Sequence, residues 1–205
     1  PNDTEVWEFS VSDGSVRALT NRRGPDNAPA ISADGRQIAY LGFDDRYQGY
    51  QTTELYIMDR AGTEPRLLSG NLDRSVSDPR WATDGSGVYV IYHDEGNSKV
   101  GFFSLNGSFQ TLASNIGTGG SAYSRGTYSL GSRGEIVYTY SRPDQPSEIA
   151  VTGNGAEVKL LTSVNADILG PRRLGETEEI WYASSHDGRQ IQGWIIKPPD
   201  FDPAR

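Results

Sequence analysis

The chain has 205 residues, with 19 Lys and Arg against 27 Asp and Glu, for a formal net charge of −8. That balance argues against sequence-independent nucleic-acid binding, which needs basic side chains to neutralise phosphates, and the pairs Arg22-Arg23 and Arg172-Arg173 stand isolated. The absence of Cys removes disulfides, thiol nucleophiles and thiolate metal sites together, and no stretch approaches the ~18 apolar residues of a membrane-spanning helix.

In chain order, the first elements are two short strands over about 5–20, running from Val6-Trp7-Glu8-Phe9 through a turn to Leu19-Thr20. A four-strand unit is expected over about 28–69. It opens with Pro29-Ala30-Ile31-Ser32-Ala33-Asp34-Gly35, continues through Ile38-Ala39-Tyr40 and Leu55-Tyr56-Ile57-Met58, and closes on Leu68-Ser69. The opening string recurs 50 residues on as Pro79-Arg80-Trp81-Ala82-Thr83-Asp84-Gly85 with Val88-Tyr89-Val90. This second unit, about 78–113, passes through Phe102-Phe103-Ser104-Leu105 and closes on Leu112-Ala113. A third, about 120–162, puts Gly131-Ser132-Arg133-Gly134 in place of the Asp-Gly turn, keeps Ile136-Val137-Tyr138, and closes through Ile149-Ala150-Val151 on Leu161-Thr162. The closing residues Thr20, Ser69, Ala113 and Thr162 step by 49, 44 and 49 positions.

Short runs rich in Tyr, Val, Ile and Phe between turn residues read as strands, and no run of ten or more residues has helical spacing. Four strands every 44–50 residues is the period of a β-propeller blade, which sandwiches and barrels do not share. The expected fold is therefore all-β: a partial β-propeller of four-stranded antiparallel blades, about three and a half of them, in residues 1–170. A closed propeller has at least four blades, so the chain is expected to be the C-terminal part of a larger propeller. Beyond Thr162 the period stops. Residues 178–197 read as a hairpin about His186-Asp187-Gly188, with Ile180, Tyr182, Ile191, Gly193 and Ile195 at alternate positions. Pro198-Pro199-Asp200-Phe201-Asp202-Pro203 cannot continue as a central strand, so 171–205 is expected to be a linker and the first hairpin of another domain.

Asp-Gly repeats followed by Tyr182-Ala183-Ser184-Ser185-His186-Asp187-Gly188, then Gly193-Trp194 and Pro198, resemble the prolyl oligopeptidase family of serine peptidases. The acylaminoacyl-peptidase and dipeptidyl-aminopeptidase-like members are the most similar, and the blades resemble TolB-type repeats. The resemblance implies an α/β-hydrolase domain that begins at the hairpin, with acyl transfer through a Ser nucleophile, a His base and an oxyanion hole. It also implies a propeller that admits short peptides and excludes folded proteins. The family's nucleophile, acid and base lie downstream of the hairpin, so this chain is expected to be inactive alone and to need no cofactor. Its implied partners are the downstream hydrolase domain and short peptides, with the compartment, cytoplasm or periplasm, left open. A TolB-like protein-binding propeller without catalysis is the alternative; it has little need for Gly193-Trp194 and Pro198-Pro199.

The residues themselves agree that catalysis lies elsewhere. No G-x-S-x-G turn exists; Gly119-Gly120-Ser121-Ala122 and Ser129-Leu130-Gly131 fail its spacing. His93-Asp94 and His186-Asp187 are adjacent pairs, whose side chains leave a strand on opposite faces. Two His argue against the multi-His metal sites of lyase propellers. Asp34-Gly35 and Asp84-Gly85 lack the calcium-loop pattern and suit tight turns. Trp81 is expected to pack between blades. The functional expectation falls on the long loop Phe43-Asp44-Asp45-Arg46-Tyr47-Gln48-Gly49-Tyr50-Gln51, which strand alternation puts at the same end as 116–121 and 142–145. Asp45, Arg46, Tyr47, Tyr50 and Arg142 are the candidate residues of a substrate or interdomain face. Uncovered blade faces are expected to promote self-association.

Overall fold

The computed structural model describes residues 3–117, 126–153 and 156–204. β1 (Trp7–Phe9) and β2 (Val16–Ala18) form an antiparallel pair. Three four-stranded antiparallel sheets follow, each with its strands in chain order. The first contains β3 (Asp26–Ile31), β4 (Gln37–Gly42), β5 (Glu54–Asp59) and β6 (Arg66–Leu67). The second contains β7 (Val76–Trp81), β8 (Gly87–Asp94), β9 (Asn97–Ser104) and β10 (Phe109–Ala113). The third contains β11 (Tyr128–Leu130), β12 (Glu135–Arg142), β13 (Gln145–Gly153) and β14 (Lys159–Leu160). One helical turn, α1 (Ala166–Leu169), precedes the hairpin of β15 (Glu176–Ala183) and β16 (Gln190–Lys197). These sheets are the expected blades.

Burial explains why the middle strands read as unbroken apolar runs. In β8, Val88, Val90 and Tyr92 pack with Ala39, Leu41, Leu55 and Ile57 of the preceding blade. The alternate residues Tyr89 and Ile91 pack with Ile136, Tyr138 and Ala150 of the following one. Likewise Ala39 and Leu41 of β4 face the second blade, while Ile38 and Tyr40 meet Val6 and Leu19 beside the β1–β2 pair. A strand covered on both faces has no polar side to offer, and each buried Val, Leu or Ile contributes about 1.5–3 kcal/mol.

Hydrogen bonds cross the same interfaces. Trp81 is buried as expected, and its indole Nε1 donates to the Ala30 carbonyl of the preceding blade at 2.9 Å. One blade later Tyr128 repeats the arrangement, donating from its hydroxyl to the Asp78 carbonyl at 2.8 Å. The carbonyls are available because β3 and β7 are edge strands interrupted by a bulge, with register shifts at Asn27/Ala30 and Ser77/Arg80. Ala28 (φ 49°) and Asp78 (φ 51°) sit at these shifts, immediately before Pro29 and Pro79.

The small residue that ends each unit also has a physical role. Thr20 Oγ1 accepts the Val6 amide at 2.9 Å, Ser69 Oγ accepts Leu55 at 2.9 Å, and Thr162 Oγ1 accepts Ile149 at 2.8 Å. In these three units a hydroxyl thus ties the end of the outer strand to the start of its neighbour. The second blade has Ala113 there and closes by direct pairing with Val100, after a register shift at Thr111/Ala113.

Candidate functional site: the loop face of the blades

Strand alternation puts two sets of connections at one end of the blades. One joins β4 to β5, β8 to β9 and β12 to β13; the other joins each blade to the next. On this face the 43–53 segment is braced internally. Asp45 donates its amide to the Arg23 carbonyl at 3.0 Å, and its Oδ1 accepts the Tyr47 amide at 2.8 Å and Gln51 Nε2 at 3.2 Å. The Arg46 amide is held by Gln51 Oε1. Tyr47, at φ 56°, lies under the Arg23 guanidinium, 4.5 Å from the ring centre, and its hydroxyl also accepts from Arg23.

Four of the five candidate residues therefore share one structured loop. Arg46 and Tyr50 line an open depression of about 350 Å³ with Gln48, Gln51, Glu54 and Asp73. Tyr47 and Tyr50 are exposed, 78% and 84%. Arg142 belongs to the β12–β13 turn of the third blade, where it forks onto Asp144 at 3.0 and 2.8 Å. Asp144 also raises the Arg142 pKa, so the guanidinium stays charged. Its partner is local, with the whole second blade between it and the 43–53 segment. In the neighbouring connection, Ile116 bridges to Tyr140 and Gly117 accepts from Ser147 Oγ at 3.3 Å; Thr118, Gly119, Gly120 and Ser121 lie outside the described residues.

The Asp of each His-Asp pair is engaged by basic side chains. His93 Nδ1 meets Ser98 Oγ across the β8–β9 register at 2.8 Å, while Asp94 binds Arg74 at 3.1 Å and Lys99 at 2.9 Å. Asp187 pairs with Arg189 at 3.1 Å. Asp34 and Asp84 cap the amides of Arg36 and Ser86, at 3.1 and 3.0 Å, and so serve their turns.

Two features of this face were not read from the sequence. The first is the ion pair of Arg22 with Asp26, whose carboxylate is fully buried. Arg22 also lies 4.0 Å over the Tyr56 ring, which stacks on Tyr40 at 5.4 Å. Desolvation raises the Asp26 pKa and pushes Tyr40 up to about 12. Gly42 makes room for the pair, since a Cβ there would collide with Arg22, Asp26 and the Pro25 carbonyl. The only sequence signal was the Arg22-Arg23 doublet, whose carboxylate partner cannot be chosen without the blade geometry.

The second is the position of the hairpin. Gln192 Nε2 donates to the Glu95 carbonyl in the β8–β9 turn at 3.0 Å, and the Trp194 ring lies against Gly96. Glu179, Trp181, Gln192 and Trp194 share that side, as their register pairs Glu179 with Trp194 and Trp181 with Gln192. On the other side Tyr182, Ile191 and Ile195 are exposed. The alternation was visible in the sequence; which side meets the blades was not.

No family model matches the chain. It is similar to a dipeptidyl-peptidase 5 of Schizosaccharomyces pombe (strain 972 / ATCC 24843), with 21% identity over 209 residues, covering 98% of this chain and 29% of that protein. Among solved structures, Pyrococcus horikoshii acylaminoacyl peptidase superposes with a TM-score of 0.69 at 19% identity, covering 95% of this chain and 28% of its own. TolB from Acinetobacter baumannii superposes with a TM-score of 0.55 at 18% identity, over 77% of this chain and 37% of its own. The chain thus spans less than a third of the length of the dipeptidyl-peptidase it matches. In sequence the chain is thus similar to a dipeptidyl-peptidase 5, and in fold its four-stranded blades are similar to those of acylaminoacyl peptidase.

Proposed function

We propose that the chain is the non-catalytic propeller part of a serine peptidase of the prolyl oligopeptidase family, and that its loop face controls the passage of short peptides to an α/β-hydrolase active site. The proposed division is a propeller part over 1–170 and, over 171–205, a linker with the first hairpin of the hydrolase part. One observation carries this reading: the hairpin lies at the loop end of the second blade, through Gln192 and Glu95, and leaves Tyr182, Ile191 and Ile195 uncovered on its far side. An apolar hairpin face is stable once a larger body covers it, and such a body would stand over the 43–53 loop. Peptides approaching it would pass Arg46, Tyr50 and Asp73, side chains suited to a polar, extended chain. A binding propeller of TolB type draws on a likeness that covers less of the chain and gives the hairpin no task.

The test replaces Asp45, Arg46 and Tyr47 together by Ala in the full-length enzyme. Turnover of short peptides should change while that of a small chromogenic ester, which needs no gate, is kept. Wild-type kinetics on peptides of every length would remove the 43–53 loop from the gate.

A further inference from the structure

We infer that the β8–β9 turn is a seat for the β15–β16 hairpin, and that Gly96 is the residue that determines whether the hairpin is seated. Glu95 (φ 49°) and Gly96 (φ 66°) make a two-residue turn with both residues left-handed, the geometry preferred for a tight hairpin. Two groups take part in the contact: the Glu95 carbonyl, which accepts from Gln192 Nε2 at 3.0 Å, and the bare Cα of Gly96, on which Trp194 rests.

The hairpin presents a prepared surface to that turn. Glu179 Oε1 accepts from Trp181 Nε1 at 2.7 Å and from Gln192 Nε2 at 3.0 Å. Gln192 therefore spends one amide group on both Glu179 and Glu95, and its orientation is fixed before it reaches the blade. Trp194, two residues on, projects from the same side of β16. One hydrogen bond and one ring placed this way specify both the position and the tilt of a two-stranded element, which the isolated hairpin could not hold by itself.

Gly96 is selected by space as well as by φ. A Cβ at this position would stand inside contact distance of the Trp194 ring, so any other residue pushes the indole off the turn. Gly85 offers a matched comparison in the same sheet: at φ 71° it carries the same backbone demand, yet a Cβ there meets nothing within 4 Å. The seat is a property of this chain alone and is independent of the peptidase reading.

The experiment labels the 205-residue chain with 5-fluorotryptophan, whose four Trp give four resonances, and identifies Trp194 by Trp194→Phe. In Gly96→Ala the Trp194 resonance should shift, and its relaxation by a soluble gadolinium chelate should rise about twofold as a half-exposed ring becomes free. Trp81, buried between blades, should keep its resonance and so report that the blades are folded. Gly85→Ala should leave Trp194 unchanged. Gln192→Ala, which removes the hydrogen bond without touching the turn, should raise the same relaxation and serves if Gly96→Ala does not fold. A Trp194 signal unaltered in Gly96→Ala or in Gln192→Ala, or moved equally by Gly85→Ala, overturns the seat.

Discussion

Replacing Trp81 by Ala tests the interface between the first two complete blades. Trp81 is 8% exposed and belongs to a cluster with Leu41, Leu55, Ile57, Val88 and Phe103. Truncating a buried Trp costs about 3–5 kcal/mol. Within that, the Ala30 carbonyl loses its 2.9 Å donor, worth about 1 kcal/mol. Trp81→Phe keeps most of the apolar bulk and gives up the N–H, so it should cost about 1–2 kcal/mol. With a urea dependence of about 2–3 kcal/mol per molar, Trp81→Ala should lower the unfolding midpoint by between about 1 and 2.5 M. Circular dichroism at increasing urea, with the slope compared across variants, reads this directly. An unchanged midpoint would place Trp81 outside the interface. Equal losses in the Phe and Ala variants would assign the effect to the hydrogen bond and refute the packing argument.

Two further outcomes are expected. Ser69→Ala should cost about 1–3 kcal/mol in thermal unfolding, because the buried Leu55 amide loses its hydroxyl acceptor; Ser69→Thr, which keeps the oxygen, should recover most of it. Glu148 should give acid-dependent stability: its carboxylate accepts from Thr162 Oγ1 at 2.5 Å and from the Val164 and Asn165 amides at 3.1 and 3.3 Å, with Thr162 the main cause of its lowered pKa. A folded pKa below the unfolded value of about 4.3 makes this stabilisation complete above that pH and lost as pH falls through the folded pKa. The protection factors of the Val164 and Asn165 amides, their exchange rates corrected for the intrinsic pH dependence of exchange, should therefore fall in acid in the wild type and depend less on pH in Glu148→Gln. The same pH dependence in both would disconnect Glu148 from that segment.

The blades were legible because their repeat rests on local chemistry. Asp34 and Asp84 make the same turn bonds 50 positions apart, and Trp81 occupied an inner strand where only a neighbouring blade could cover it. The closing hydroxyls were legible as a pattern without a cause, since the amides they accept lie 13 or 14 residues earlier, on another strand. The loop face was legible as a set of connections, because alternation alone decides at which end a connection emerges. Its internal order was not. Arg22 reaches Asp26, Tyr56 and Asp44, Arg23 reaches Tyr47, and Arg142 turns back to Asp144; each choice depends on side-chain reach in three dimensions. The seating side of the hairpin escaped for a related reason. Both its faces carry large hydrophobic residues, and Gln192 and Gly96 decide between them through a contact almost a hundred positions apart in the chain.

The double coverage of β4 and β8 sets the scale on which this protein can change. A charged or resized side chain at Ala39, Leu41, Val88 or Val90 has no outward direction to turn, so single substitutions along these strands meet a neighbour on whichever side they fall. A whole blade is different. It brings one new surface for each it separates, and the strands on either side find an equivalent partner, since each blade packs only against the next. Evolution can therefore lengthen or shorten such a chain in steps of about fifty residues more readily than it can alter one residue in the middle of a sheet.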